Sequence, residues 1–144
     1  MPSKLYGNFL AKSLNKEVDF DTDTIKVALL TSSYTPNQDT HDYYDDVSTY
    51  EVSGTGYTSG GATLASKTVT YDSGTNVIVL DAADVTWSSS TITARYAVVY
   101  NDSGASAGAK VLIGYVDFGS DQSSTNGNFT ITWDSTGIVR ITVA

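Results

Sequence analysis

The stretch Thr91–Asp102, TITARYAVVYND, decides how this chain is read. Ile92, Ala94, Tyr96, Val98 and Tyr100 recur at every second position. That period predicts a strand with those five side chains on one face. Its β-branched and aromatic residues fit a pleated surface, and Asn101–Asp102 supplies turn chemistry at its end.

The same pattern extends in both directions. Upstream, KTVTYD (67–72) alternates and runs into the turn SGTN (73–76). VIVLDAADVTW (77–87) follows as a strand with a bend at Asp81–Asp84. Downstream, the small-residue loop SGASAGA (103–109) reads as a flexible tip. KVLIGYVDFG then sets Leu112, Gly114, Val116 and Phe118 against Val111, Ile113 and Tyr115. A polar turn is expected over Asp121–Asn128, then the strands NFTITWD (128–134) and GIVRITVA (137–144). Nearer the start, IKVALLTSS presents Ile25, Val27 and Leu29 on one face and Ala28 and Leu30 on the other. A strand apolar on both sides is central in a sandwich or lies at a subunit interface. About seven short strands between Gly, Asn, Asp and Ser turns predict an all-β, single-domain antiparallel β-sandwich, or a barrel-like relative, covering residues 1–144.

One segment breaks the alternation. Leu5, Tyr6, Phe9, Leu10 and Leu14 fall at helical spacing, so a short N-terminal α-helix is expected over about residues 3–15, with Ser3 as N-cap behind Pro2. A long polar loop is expected over about 32–52, and loops of that length are commonly functional or interfacial.

Composition narrows the function. The chain has 144 residues, no cysteine and a net charge of −8. It therefore has no disulfide, thiolate metal site or cysteine nucleophile. Eight scattered Lys and Arg do not form a phosphate-binding surface, so no nucleic-acid partner is expected. No apolar run approaches the roughly 20 residues of a membrane helix. The start MPSKLYGNFLAK is too weakly apolar for a signal peptide, so an unprocessed protein made in the cytoplasm is expected.

The long loop holds the one concentration of chemistry-bearing residues. In QDTHDYYDDVSTYEVSG (38–54) the only histidine, His41, stands among Asp39, Asp42, Asp45 and Asp46. Such a set could ligate a cation or move a proton. The blander reading makes the aspartates turn caps. A catalytic triad would have to use His41, and no Gly-x-Ser-x-Gly turn accompanies it. Asp19, Asp21 and Asp23 in DFDTDT alternate like the start of a calcium loop but lack its glycine and distal glutamate. GTGYTSGGATL (54–64) leads into a strand, so its glycines serve turns and bulges and do not cradle phosphate. Trp87, Trp133 and the pair Tyr43–Tyr44 are the aromatic candidates for sugar stacking, with core or interface packing as the competing role. No cofactor is expected.

The series LYGNFLAKSL…DFDTDTIKVALLTSSYTP, HDYYDDV, GGATLASKTVTYD, DAADVTW, ARYAVVYND, LIGYVDFG and NFTITWD resembles a family of small structural proteins encoded by tailed bacteriophages and prophages. The resemblance spans nearly the whole chain and carries no enzymatic motif. It implies a non-enzymatic virion component, decorating or projecting from the capsid. Its implied partners are copies of itself, for which a trimer is one geometry, and a capsid or other virion protein. Tyr43, Tyr44 and Tyr57 are the residues expected at such an interface. Two other classes stay open: a tail-associated receptor- or glycan-binding module, and a small hydrolase with a cleft that collects His41 and acids.

Overall fold

The computed structural model of the chain describes residues 3–143. The fold is an antiparallel β-sandwich with one short helix and no closed barrel. Strands β1 (Ser3–Leu5), β2 (Ile25–Leu30), β3 (Ala62–Thr63), β6 (Val85–Asn101) and β7 (Leu112–Ile131) form a five-stranded sheet in the order β1-β7-β6-β2-β3. Strands β4 (Thr68–Asp72), β5 (Val77–Asp81) and β8 (Val139–Thr142) form the second sheet, in the order β4-β5-β8.

β2 behaves as its pattern demands. Ile25, Val27 and Leu29 enter the core between the sheets, while Ala28 and Leu30 enter a second apolar cluster on the outer face of the large sheet. The outer cluster is roofed by the connection between β2 and β3, through Tyr34, Tyr44 and Val47. The large sheet is therefore apolar on both faces because a loop, and not a third sheet, covers one of them.

TITARYAVVYND does not keep one face. Ile92 and Ala94 belong to the inter-sheet core, whereas Tyr96, Val98 and Tyr100 belong to the outer cluster. A register shift between Ala94 and Tyr96 separates the two sets. An extra residue in one strand reverses which side every later side chain points to, so strict alternation read through a bulge assigns the wrong face. β7 repeats the lesson: Val99 pairs with Gly114 and Tyr100 with Leu112, leaving Ile113 as the extra residue. Leu112 faces the outer cluster, while Val116 and Phe118 pack on the core.

The polar turn expected at Asp121–Asn128 is strand, and Ser88–Ser90 likewise continues β6. β6 and β7 form one long ribbon that folds back over the core. Phe118 and Phe129 lie eleven residues apart on β7, which in a straight strand is roughly 36 Å. Their ring centroids are 6.2 Å apart. The bend is made at Ser90, fully buried, whose hydroxyl lies 2.7 Å from that of Ser124 and 3.0 Å from the carbonyls of Trp87 and Gly127. Ser89 and Asn126 beside it adopt positive φ. The serines that look like turn signals in sequence thus let a strand pair turn a corner between layers.

The helix is shorter than its periodicity suggests. α1 spans Phe9–Leu14, and Ser3, expected as its cap, lies in β1. Pro2 lies outside the described residues. β1 pairs with Gly114–Val116 of β7, and the Tyr6 amide donates to the Ile113 carbonyl at 3.1 Å. Strand pairing satisfies this backbone and buries Tyr6, which outweighs a helical turn weakened by Gly7 and Asn8.

The loop after β6 is closed by Asp102, which bridges Lys26 of β2 at 2.8 Å and Lys110 at 2.6 Å. Among the described residues no helix is long and apolar enough to cross a membrane.

Candidate functional site

The connection over residues 31–61 carries most of the residues singled out from sequence, and its internal bonding decides what they can do. It leaves β2 through a turn in which the Tyr34 amide donates to the Thr31 carbonyl, and it returns to pair Glu51 with Leu30. Between them the chain makes 3-10 turns at Tyr44–Asp46 and Ser48–Tyr50. Tyr43 bridges to Val111, and the Leu112 amide donates to the Asp42 carbonyl at 2.9 Å. The loop is thus hydrogen-bonded to the start of β7 as well as packed on the sheet.

Its anchor is Glu51. The Glu51 carboxylate accepts the hydroxyls of Tyr57 at 2.6 Å, Tyr44 at 2.9 Å and Ser59 at 3.1 Å, and the amide of Gly60 at 2.6 Å. The Tyr57 hydroxyl also accepts the Leu29 amide at 3.0 Å, and the Tyr100 hydroxyl donates to the Gly60 carbonyl at 2.7 Å. Four donors from the chain itself converge on this one side chain. Burial, and then the Glu51 charge, pushes the Tyr44 hydroxyl well above its usual range. Burial and the hydrogen bond to Glu51 do the same to Tyr57.

A second hydrogen-bonded chain runs inward from the histidine. The Tyr34 hydroxyl lies 2.9 Å from His41 Nδ1 and 2.8 Å from the Tyr6 hydroxyl. Burial pushes Tyr34 up to about 12 and Tyr6 higher still. Tyr34 also packs edge-on against Tyr96, with centroids 5.5 Å apart.

The five candidate ligands do not converge. Asp46 Oδ2 accepts the amides of Asp42 and Tyr43, at 2.9 and 3.3 Å, as a turn cap. Asp42 pairs with Lys12 at 3.4 Å, and His41 is turned toward Tyr34. Asp39 sits in a turn capped by Asn37, and Asp45 is exposed. Among the described residues no group of three His or acidic side chains could hold a metal ion. In DFDTDT, Asp23 instead accepts the Asp19 amide and the side-chain amide of the buried Asn101.

The interface tyrosines are also taken up by the fold. Tyr44 is buried in the outer core and stacked on Tyr100. Tyr57 is half-buried against Trp87, and the Tyr43 hydroxyl accepts Lys12 at 2.6 Å. Trp87 is a core residue.

Trp133 is different. It borders a cleft of about 500 Å³ between β1, β7 and the segment 132–140. Its lining includes the apolar Leu5, Val116, Ile131 and Ile138, each buried or half-buried, and the exposed Lys4, Asp134 and Arg140. The indole N–H donates to the Ala83 carbonyl at 3.1 Å, which fixes the ring at the edge. His41 does not line this cleft.

No family model, curated protein or solved structure matches the chain.

Glu51, Ser90, Ser124 and Asp102 carry the architecture, and none was singled out from sequence. Glu51 is one of only two glutamates, beside a tyrosine-rich run. That rarity was the available signal.

Proposed function

We propose that the chain is a non-enzymatic structural protein of a tailed-phage virion, decorating or projecting from the capsid as a homo-oligomer. The observation that supports this reading is the saturation of the long loop. Its glutamate, its histidine and two of its aspartates each bond to the chain's own tyrosines, amides or a lysine, and the product is a roofed, two-layered scaffold. A carboxylate with four internal donors stabilises a fold; acting as a base would require the roof to open. Acidity disfavours contact with packaged DNA, so an outer position on the shell follows. Quantitative mass spectrometry of purified particles, with a reconstruction of the intact virion, tests this. Hundreds of copies on the head support the reading; complete absence from particles overturns it.

One observation favours a second reading, a tail-associated receptor- or glycan-binding module. Trp133 lines a cleft together with apolar residues and the charged Asp134 and Arg140, a mixture of aromatic, apolar and polar groups suited to a ligand. A few copies per particle at the tail, with glycan-array binding lost in Trp133→Ala, would select it. A blank array would remove it.

A further inference from the structure

We propose that the cleft beside Trp133 takes the alkyl chain of an anionic amphiphile, such as a medium-chain carboxylate. The inference needs neither the capsid reading nor the tail reading above. It assigns to the cleft a ligand class other than the sugar that the tail reading would place there.

The cleft is a gap in the core between the sheets. β1 is an edge of the five-stranded sheet and β8 an edge of the three-stranded one, and residues of both line it. On its walls Val99, Ile113 and Val139 are buried members of the inter-sheet core, and Val116, Trp133 and Ile138 pack against that core. The sheets thus leave about 500 Å³ open where their edges meet. Small-molecule sites of that size are lined mainly by apolar and aromatic side chains. Apolar walls without atoms against them forgo dispersion contacts, which a bound chain restores.

The polar groups of the lining are already engaged, and that separates an alkyl chain from a sugar. Trp133 gives its indole N–H to the Ala83 carbonyl and its backbone amide to the Asp84 carboxylate. The Asp134 carboxylate accepts the Thr136 amide at 2.9 Å and hydroxyl at 2.6 Å, and Arg140 donates to the Thr136 carbonyl at 3.2 Å. A sugar carries a hydroxyl on most of its carbons, and each one desolvated without a partner counts against binding. An alkyl chain needs no such partner and gains about fourfold in affinity per buried methylene.

Charge chooses the head group. The chain carries −8 overall, yet the cleft lining holds two cations, Lys4 and Arg140, against one acid, Asp134. Among the described residues neither cation is in an ion pair; the four pairs use Lys12, Lys26, Arg95 and Lys110. The two come from the strands that meet at the cleft, Lys4 from β1 and Arg140 from β8. A guanidinium has five N–H groups, so Arg140 keeps donors beyond the one given to Thr136. An anionic head is matched here, whereas adsorption governed by net charge would favour a cationic one. The two cases therefore predict opposite head-group preferences.

Calorimetric titration of the full chain at low salt, with every amphiphile below its micellar concentration, reads that preference. Decanoate is expected to bind once per chain, at least about tenfold tighter than decyltrimethylammonium and about fifteenfold tighter than octanoate. It should also raise the melting temperature, as a ligand of the native state does. A terminally brominated decanoate should quench tryptophan emission in the wild type and not in Trp133→Phe, which retains Trp87. Ile138→Trp should block binding by filling the cleft, and Lys4→Gln combined with Arg140→Gln should erase the head-group preference, both after a check of circular dichroism. The quenching result stands if Ile138→Trp does not fold. Co-sedimentation with phosphatidylglycerol vesicles that decanoate competes away would name a bilayer lipid as the source of the chain; decanoate binding without it names the free acid. No saturable decanoate binding, equal binding of the cationic amphiphile, or quenching that persists in Trp133→Phe overturns the proposal. Glycan-array binding with a blank decanoate titration overturns it while leaving the tail reading in place, and decanoate binding with a blank array does the reverse.

Discussion

The Tyr44 ring lies flat against Tyr100, with centroids 4.2 Å apart and planes 18° from parallel, and its hydroxyl donates to Glu51 at 2.9 Å. One face of a loop tyrosine is thus committed to the sheet and its polar tip to the loop's own anchor.

Glu51→Ala removes the acceptor of two tyrosine hydroxyls, a serine hydroxyl and the Gly60 amide. Stability is expected to fall by about 3 kcal/mol, since hydrogen bonds to a charged group are among the stronger ones and the stranded donors lose their partner. Urea unfolding measures the loss. Hydrogen exchange should localise it, with faster exchange through 31–61 than in β6 and β7.

Alkali should unfold the protein through its tyrosines. In the folded state burial raises Tyr6, Tyr34, Tyr44, Tyr57 and Tyr100 above the ordinary value of 10.0, Tyr34 to about 12. The unfolded chain loses these protons first, so the stabilisation is complete below pH 10 and declines as pH rises toward the folded values. Urea midpoints should drop steeply between about pH 10 and about pH 12. Tyrosinate absorbance should show an early class of exposed rings and a late class that ionises only with loss of near-ultraviolet dichroism.

Ser90→Ala tests the corner of the ribbon. It leaves the buried Ser124 hydroxyl and the carbonyls of Trp87 and Gly127 without their partner, at a cost of about 1–3 kcal/mol. Thermal melting measures it. Thr93→Ala, on an exposed hydroxyl pair of the same ribbon, should change little.

Gly61→Ala and Gly119→Ala separate backbone strain from collision. Both glycines have positive φ, +78° and +82°. A methyl at Gly61 would run into the Val27 carbonyl, whereas Gly119 has open space. Gly119→Ala should cost about 1 kcal/mol from conformation alone. Gly61→Ala should cost several-fold more, read by denaturant midpoint, because β3 must leave β2.

Much of the strand content was legible because a two-residue period is a local property. β2, β4, β5 and β8 lie where their alternation put them, and β2's two apolar faces announced that both sides of the sheet are covered. The bulges were not legible. At Ala94–Tyr96 and at Ile113 one extra residue reverses the faces, and nothing in a run of Ala, Tyr and Val marks where that residue falls. The helix was overextended for a related reason: Leu5 and Tyr6 fit helical spacing, but the β7 edge offers their backbone better partners.

His41 and its neighbouring aspartates show the same division. Composition and pattern determined that this is an antiparallel β protein, acidic and free of cysteine, with one loop dense in acids and tyrosines. Only tertiary structure decided that Asp46 caps a turn, that His41 meets Tyr34, and that Glu51 gathers donors from positions 44, 57, 59 and 60. Period and charge are written along the chain, whereas a carboxylate's partners are set by which segments the sheet brings within hydrogen-bond reach, and that depends on registers and bulges far from the carboxylate itself.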